Sequence, residues 1–434
     1  MSSLTILDAW LARLEQLHPS AIDLGLERVR RVKDALGLAP TFPLISVGGT
    51  NGKGSTCAYL EAILSAAGYR TGLYTSPHLL RYNERVRVAG LEASDAELIT
   101  AFERVDAARC EVSLTYFEFG TLGAMLQFVA AKVDAAILEV GLGGRLDAVN
   151  VFEPDAAIVT GVDLDHMDYL GDSREQIGFE KAGIFRAKRP AICADPQPPA
   201  SLLEQAGRIG AKLYRIDEAF HVSQDDGGWS YRGRYWKFTG LPLPAMAGAH
   251  QLRNAAAALA ALENLQDRLP VTEAAIRQGL LDARLPGRFQ RIGVNPQTVL
   301  DVAHNPQAAR ALASSLQQNP VAGRTLAVVG MLADKDAGQV IDALAAGVDS
   351  WWICRPDSPR ALAADLLAET VRQHAQGVPV MVRSAPLDAY RAAQSEARDG
   401  DRILVFGSFY TVAAVLAACN ARNEAGSLPE LPTD

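Results

Sequence analysis

The stretch Ser46-Val47-Gly48-Gly49-Thr50-Asn51-Gly52-Lys53-Gly54-Ser55-Thr56 follows a short apolar run, Pro43-Leu44-Ile45, and precedes a helix-like segment from Cys57 to Leu64. A strand that ends in glycines, then a Lys, then hydroxyls at a helix start presents backbone N–H groups to phosphate. Glycines let the main chain turn tightly and approach the anion. Lys53 supplies a movable positive charge, and Ser55 or Thr56 can reach a phosphate-bound Mg²⁺. The pattern predicts a nucleoside triphosphate site, against the plainer reading of a Gly-rich turn with a solvated Lys. The general P-loop, G-x-x-x-x-G-K-[ST], would need Gly at position 47 and Ser or Thr at position 54, where this chain has Val47 and Gly54.

Two further strands end in acids. Residues 134–139 read as a buried strand that terminates in Glu139 and the Gly-rich loop Val140 to Asp147. A carboxylate at the C-terminal end of a parallel strand, beside a phosphate loop, is where an NTPase holds Mg²⁺. Glu139 is therefore the predicted metal ligand, although lone acids at strand ends are generally hydrogen-bonded structural groups. The strand over 156–162 leads into Asp163-Leu164-Asp165-His166-Met167-Asp168. One His among acids, without the thiolates zinc favours, reads as a Mg²⁺ or Mn²⁺ position and selects His166; the alternative is a solvent-facing acidic loop.

At 434 residues the chain exceeds one hydrophobic core, so two domains are expected. A net charge of −8 with no basic block gives nothing to track a nucleic-acid backbone. The five cysteines are scattered and contain no C-x-x-C pair, which predicts a reducing cytoplasm and no structural zinc. The N-terminus lacks the pattern of a signal peptide, and no apolar run approaches the roughly 20 residues of a bilayer span. The expectation is a cytoplasmic monomer with no membrane and no nucleic-acid partner.

Along the chain, Leu4, Leu7, Leu11, Leu14 and Leu17 form a helical stripe. Leu114-Thr115-Tyr116-Phe117-Glu118 opens a helix through Phe128, and aromatic pairs at a helix start are usually core. Ser173 and Gln176 stand at capping-box spacing before a helix carrying Phe179 to Phe185. A Lys there, Lys181, is ordinarily solvated, but burial beside metal ions can lower its pKa by up to roughly 3–5 units. Residues 221–240 alternate aromatic and polar residues around Asp226-Gly227-Gly228, as a β-meander insert does. Leu285-Pro286-Gly287-Arg288-Phe289-Gln290 reads as a linker, after which strands at 298–301, 326–330, 351–354 and 402–407 alternate with helical stretches, predicting a parallel sheet. Pro-rich residues after Gly426 read as a mobile tail.

The string Gly49-Thr50-Asn51-Gly52-Lys53-Gly54-Ser55 resembles the shorter loop of the Mur ligase superfamily, ATP-dependent amide-forming enzymes, and within it the folylpolyglutamate and dihydrofolate synthases. Further strings agree in order along the chain: Asp23-Leu24-Gly25-Leu26-Glu27-Arg28, Thr115-Tyr116-Phe117-Glu118, Leu164-Asp165-His166, Glu180-Lys181-Ala182-Gly183-Ile184, His250-Gln251-Leu252-Arg253-Asn254 and Phe406-Gly407-Ser408. The match is weakest between residues 195 and 245.

The resemblance implies an α/β protein with two domains. Residues 1–284 would form an N-terminal P-loop-type ATPase domain that binds ATP and folate, with a mostly parallel sheet and a small β insert. Residues 285–290 would be the linker, and residues 291–434 a C-terminal Rossmann-like α/β domain completing the ATP and glutamate cleft. It implies ATP binding by Thr50, Asn51, Gly52, Lys53, Gly54, Ser55, Thr56, Asn254, Arg288, Asp301 and His304, with Asn254 at the base, Asp301 at the ribose, and Arg288 and His304 at the phosphates. It implies two Mg²⁺ ions with Ser76, Glu139 and His166 as ligands, where Ser76 read alone is a loop hydroxyl capping the next turn. Folate would lie against Ile22, Asp23, Leu24, Thr115, Tyr116, Phe117, Glu118, Leu146, Asp147 and Ala148. Lys181 would be carbamylated and, with Lys53 and His166, catalytic.

The reaction implied is amide formation in which ATP activates the carboxylate of dihydropteroate or a reduced folate as an acyl phosphate, and the amine of L-glutamate displaces phosphate. Two rivals are a cell-wall Mur ligase and a GTP-binding switch. The first carries a separate N-terminal domain for its UDP-sugar, whereas only about 40 residues precede the loop here. The second would need an Asn-Lys-x-Asp string, which this sequence lacks after the loop.

Overall fold

Short runs of Ile, Val, Leu and Ala covered on both faces become parallel strands, because a strand buried on both sides needs no polar alternation. In the computed structural model, which describes residues 5–225, 227–293 and 295–424, the first sheet has eight strands: β1 (Leu44–Gly48), β2 (Thr71–Tyr74), β3 (Val86–Val88), β4 (Leu91–Glu92), β5 (Ala135–Glu139), β6 (Ala156–Val159), β7 (Pro190–Cys193) and β8 (Lys212–Arg215). Their order is β4-β3-β2-β5-β1-β6-β7-β8. Strands β2, β5, β1, β6, β7 and β8 run parallel, while β3 and β4 form an antiparallel edge. Val47 stands opposite Glu139 of β5, and Gly48 opposite Val159 of β6. The glycine-rich loop thus leaves the sheet between the two strand ends that sequence reading had marked.

A three-stranded antiparallel meander follows: β9 (His221–Asp225), β10 (Gly228–Arg232) and β11 (Lys237–Leu241). Trp229 and Tyr231 turn inward from β10, and the Tyr231 hydroxyl donates to buried Glu263 at 2.9 Å. Asp226, expected in its turn, lies outside the described residues, as do Leu4 of the first helical stripe and the Pro-rich stretch after Gly426.

The second sheet comprises β12 (Gln290–Arg291), β13 (Gln297–Leu300), β14 (Thr325–Val329), β15 (Ser350–Ile353), β16 (Val380–Val382) and β17 (Arg402–Phe406), in the order β12-β13-β17-β14-β15-β16. All pairs are parallel except β12 with β13. Two strands of this sheet were not foreseen, as β3, β4, β7 and β8 of the first were not. β16 is three half-buried residues, too few to show a pattern, and β12 is two, lying where a linker was expected; Gln290 pairs with Leu300.

The chain divides into two compact units, one of Met1–Ala245 with Gln251–Arg284, the other of Met246–His250 with Leu285–Asp434. Each has its own apolar core, around Phe102, Phe119, Phe128, Ile184 and Phe185 in the first and Val299, Val329, Trp351 and Phe406 in the second. One helix is shorter than expected. The segment carrying Lys181 is helical over Arg174–Ala182 and stops at Gly183, so Ile184 and Phe185 lie beyond its end. Its expected capping box is half formed: Ser173 Oγ accepts from the Gln176 N–H, while the Gln176 amide oxygen takes the Asp172 N–H instead.

Candidate active site

The phosphate-loop helix spans Lys53–Ala66 and is capped by Gly52 at φ 88°, a left-handed conformation that glycine adopts without steric cost. A Cβ at this position would lie 2.5 Å from the Asn254 side-chain oxygen, so the glycine also admits the helix Ala249–Asn264 to close approach. The loop is pinned from β6. Thr160 Oγ1 donates to the Asn51 carbonyl at 2.6 Å, Thr50 N–H donates to the Gly161 carbonyl at 2.8 Å, and Thr50 Oγ1 meets both the backbone carbonyl and N–H of Asp163 at 3.0 Å. Lys53 Nζ reaches back to the carbonyls of Gly49 and Thr50, each at 3.1 Å.

The two helix-start hydroxyls face inward. Ser55 accepts from Gln251 Nε2 at 3.4 Å, and Thr56 donates to the Asn254 carbonyl at 3.5 Å while its N–H closes the first turn on Gly52. Thr56, expected among the phosphate contacts, is fully buried and faces that carbonyl. Gln251 was passed over in the sequence. It also accepts from Asn254 Nδ2 at 3.0 Å, and its i, i+3 spacing to Asn254 on one helix face was the available signal.

Glu139 is buried at the end of β5, and its Oε2 accepts the Ser76 N–H at 3.2 Å, so this pair of expected metal ligands is brought together. His166 holds left-handed backbone angles, φ 52° and ψ 41°, and its N–H binds Asp165 Oδ1 at 2.9 Å. Among the described residues no group of three His, Cys, Asp or Glu side chains is gathered into a metal cage. One carboxylate and one hydroxyl on separate segments, with the His166 imidazole nitrogen as a third donor, fit Mg²⁺, which is bound through one or two carboxylates with substrate phosphates and water.

Lys181 is 4% exposed. Burial first, and then the charge of Lys53, push its amine down to about 7, against the opposing pull of Asp165 and Asp147. Asp147 is the converse case: burial pushes its carboxyl up to about 7, although N–H groups of Leu142 and Val149 at 2.8 and 3.0 Å and the Lys53 charge favour the anion. Lys53, Asp147 and Asp165, from three other segments, therefore act electrostatically on Lys181, and Lys53 acts on Asp147 as well. Packing explains the arrangement. Gly144 lies on the end of the Lys181 helix, where a Cβ would sit 2.8 Å from the Glu180 carbonyl, and Arg145 N–H donates to that same carbonyl at 2.8 Å.

The segments expected to meet folate also converge. Thr115 caps the helix Tyr116–Ala131, with the Glu118 carboxylate returning to the Thr115 N–H at 2.8 Å. Arg28 spans from Asp23 at 2.7 Å to Glu118 at 3.3 Å, and so ties the Ile22-Asp23-Leu24 segment to the helix start. Ile22 is exposed and Tyr116 and Phe117 are half-buried, whereas Ala148 is buried and Leu146 half-buried beside Asp147. Phe117 packs on Tyr74 with ring centroids 5.6 Å apart, and Arg85 lies over both Tyr82 and Tyr116 at 5.4 Å.

In the second unit, Asp301 at the end of β13 accepts N–H groups from Phe289 and Ala303, both at 2.8 Å, and burial raises its carboxyl above the usual range. Arg288 lies over the Phe409 ring at 5.5 Å, and the His304 ring is 6.1 Å from the same ring. Phe409 thus gathers two of the expected phosphate residues. It directly follows the string Phe406-Gly407-Ser408, but the sequence offered no signal of that contact.

Residues 47–262 match the Mur ligase middle domain and residues 287–409 the Mur ligase glutamate ligase domain. The chain is 45% identical to the dihydrofolate synthase/folylpolyglutamate synthase of Escherichia coli K12 over 421 residues, 97% of each chain. Its fold is similar to the solved structure of E. coli FolC in complex with DHPP and ADP, with a TM-score of 0.92 at 45% identity, covering 96% of this chain and 99% of the other. It is similar as well to a bifunctional folylpolyglutamate synthase/dihydrofolate synthase solved with Mn, AMPPNP and L-glutamate bound, with a TM-score of 0.88 at 47% identity, covering 96% and 98%.

Proposed function

The chain belongs to the Mur ligase family, and on that footing we propose that it adds L-glutamate to dihydropteroate, forming dihydrofolate, and to reduced folates, forming polyglutamates. It is an ATP-dependent carboxylate–amine ligase. The substrate carboxylate attacks the γ-phosphorus of ATP, ADP leaves, and the resulting acyl phosphate is attacked by the glutamate amine; the amide forms, phosphate departs and the amine loses a proton. A carboxylate is a poor acylating agent and phosphate a good leaving group, so no covalent enzyme intermediate is required. The protein positions the reactants and neutralises charge.

In this reading the loop from Thr50 to Ser55 cradles the triphosphate and Lys53 meets its charge. Asn254 faces the base, Asp301 the ribose, and Arg288 and His304 the phosphates. Glu139, Ser76 and His166 would hold Mg²⁺, which when bound neutralises phosphate charge. The folate ring would lie against Tyr116 and Phe117, with Ile22, Asp23, Leu24, Leu146, Asp147 and Ala148 around it. Lys181 in its neutral form adds to CO₂, forming an N–C bond and releasing a proton, and the carbamate anion replaces a charge that cations would repel. The protein acts as a cytoplasmic monomer. No helix among the described residues is long and apolar enough to cross a membrane.

The observation that carries this reading is a phosphate loop that leaves the sheet beside buried Glu139, with a buried lysine, Lys181, that feels the charges of Lys53, Asp165 and Asp147. The test is phosphate release with ATP, Mg²⁺ and L-glutamate, with dihydropteroate and tetrahydrofolate added in turn. Release that depends on both glutamate and a pteroate substrate is expected; release indifferent to both would overturn it.

A further inference from the structure

Four residues past the end of the Lys181 helix stands an arginine that no functional argument has used. Arg186 is half-buried, and its guanidinium is spent almost wholly on backbone carbonyls. One terminal nitrogen donates to the carbonyls of Gly183, Ile184 and Phe185 at 3.3, 3.1 and 3.2 Å. The other donates to the Asn150 carbonyl at 3.1 Å, the Asn150 side-chain oxygen at 2.9 Å and the Phe152 carbonyl at 3.5 Å. The Nε meets Glu153 at 2.6 Å, a surface carboxylate 75% exposed.

Those carbonyls belong to two separate pieces of the site. Gly183, Ile184 and Phe185 form the exit of the helix that presents Lys181, and Asn150 lies in the turn Ala148–Val151, which Asp147 caps. Asn150 completes the join: its Nδ2 donates to the Arg145 carbonyl at 2.9 Å and to the Gly183 carbonyl at 3.1 Å. The last carbonyls of the helix itself are taken by backbone N–H groups, Glu180 by Gly183 and Arg145, Lys181 by Ile184 and Ala182 by Phe185, and the two side chains satisfy the next three carbonyls, those of the exit. An exposed Arg–Glu pair contributes little, but a planar fork of donors that serves two segments fixes their relative position.

We propose that Arg186 and Asn150 are a positioning pair that holds the helix end carrying Lys181 in register with the turn carrying Asp147, and that this register sets the rate of the ligase reaction. Neither residue touches substrate. The inference rests on the reading of Lys181 given above for one of its readouts only.

The test compares Arg186→Lys, Asn150→Ala and Glu153→Ala with the wild type in the full chain. Turnover, the KM for ATP, the thermal midpoint and the carbamate signal of Lys181 after equilibration with ¹³CO₂ are measured. Arg186→Lys keeps the charge but loses the fork, and Asn150→Ala removes the second staple. Each should lower kcat about tenfold or more with the KM for ATP changed less than about twofold, the pattern of a misplaced reacting group as opposed to a lost binding contact. Each should also lower carbamate occupancy at fixed CO₂. Glu153→Ala, which removes only the surface ion pair, should match the wild type throughout. Wild-type kcat in both Arg186→Lys and Asn150→Ala would overturn the proposal, as would losses that track the thermal midpoint and vanish below the unfolding transition. If the wild type itself showed no carbamate while the two variants still lost kcat, the positioning role would stand and the Lys181 modification would fall.

Discussion

Asn254 lies so close to Gly52 that a single methyl group on the glycine would come within 2.5 Å of the Asn254 amide oxygen. The contact joins the cap of the phosphate-loop helix to a side chain just over 200 residues later, through a network that also contains Gln251 and Ser55. Gly52→Ala should therefore fail twice. The left-handed backbone alone costs an alanine about 1–2 kcal/mol, and the methyl displaces Asn254. Urea unfolding should register the first effect and ATP titration a weakening of at least about tenfold, or about 1.4 kcal/mol. Adding Asn254→Ala removes the clash, so the double variant should be less destabilised than the sum of the two singles.

Asp147 and Lys181 predict an unusual pH profile for stability. The Asp147 carboxyl goes from 3.8 to about 7 on folding, so between those values the folded state binds more protons and stability falls as pH rises. The Lys181 amine goes from 10.5 to about 7, so between pH 7 and 10.5 the unfolded state binds more protons and stability rises with pH. Each shift is worth on the order of 4 kcal/mol. In metal-free, CO₂-free buffer, the gain in stability of an Asp147→Asn/Lys181→Met double variant over the wild type should peak near pH 7 and shrink toward both extremes. A flat difference across pH 4 to 10 by chemical denaturation would refute the assignment of both groups.

At the helix that begins with Tyr116, Thr115→Ala removes a cap worth about 1 kcal/mol and loosens the two aromatic residues behind it. Arg28→Ala frees Asp23 from Glu118. Both variants should raise the KM for dihydropteroate while leaving the KM for ATP near its wild-type value. An equal rise in both constants would show that these segments do not serve the folate.

Phe409→Leu should raise the KM for ATP severalfold, because the ring under Arg288 contributes about 1 kcal/mol to holding a half-buried guanidinium in place. His304, which meets the same ring, would be loosened with it. Steady-state kinetics at saturating glutamate gives the readout, and an unchanged KM for ATP would mean that Arg288 is held by other contacts.

Where chemistry and local pattern coincide, the sequence was a good guide. Glycines, Lys53 and the acid of Glu139 mark strand ends because only the C-terminal edge of a parallel sheet brings such groups beside a phosphate loop, and the meander at 221–241 showed its alternation plainly. The positions that escaped notice act through partners distant along the chain. Gln251 means little until the helix Ala249–Asn264 meets Ser55, and Arg186 looks like any surface arginine until seven oxygens, the Glu153 carboxylate among them, converge on it. Length set the other limit: strands of two or three residues such as β12 and β16 carry no periodicity, and a β-ladder partner supplies what their own residues do not.

The two sheets also differ in when their middle is made. In the first, β1 precedes both of its neighbours, β5 and β6, so an early strand waits for later ones to dock on either side. In the second, β17 lies between β13 and β14, and it is the last strand of the described residues. A chain still emerging from the ribosome can present β12 to β16 without the strand to which β13 and β14 both bond, leaving two inner edges open to other chains. Stop codons placed before Arg402 should for that reason yield nascent chains that lean on chaperones far more than ones stopped before Gly287.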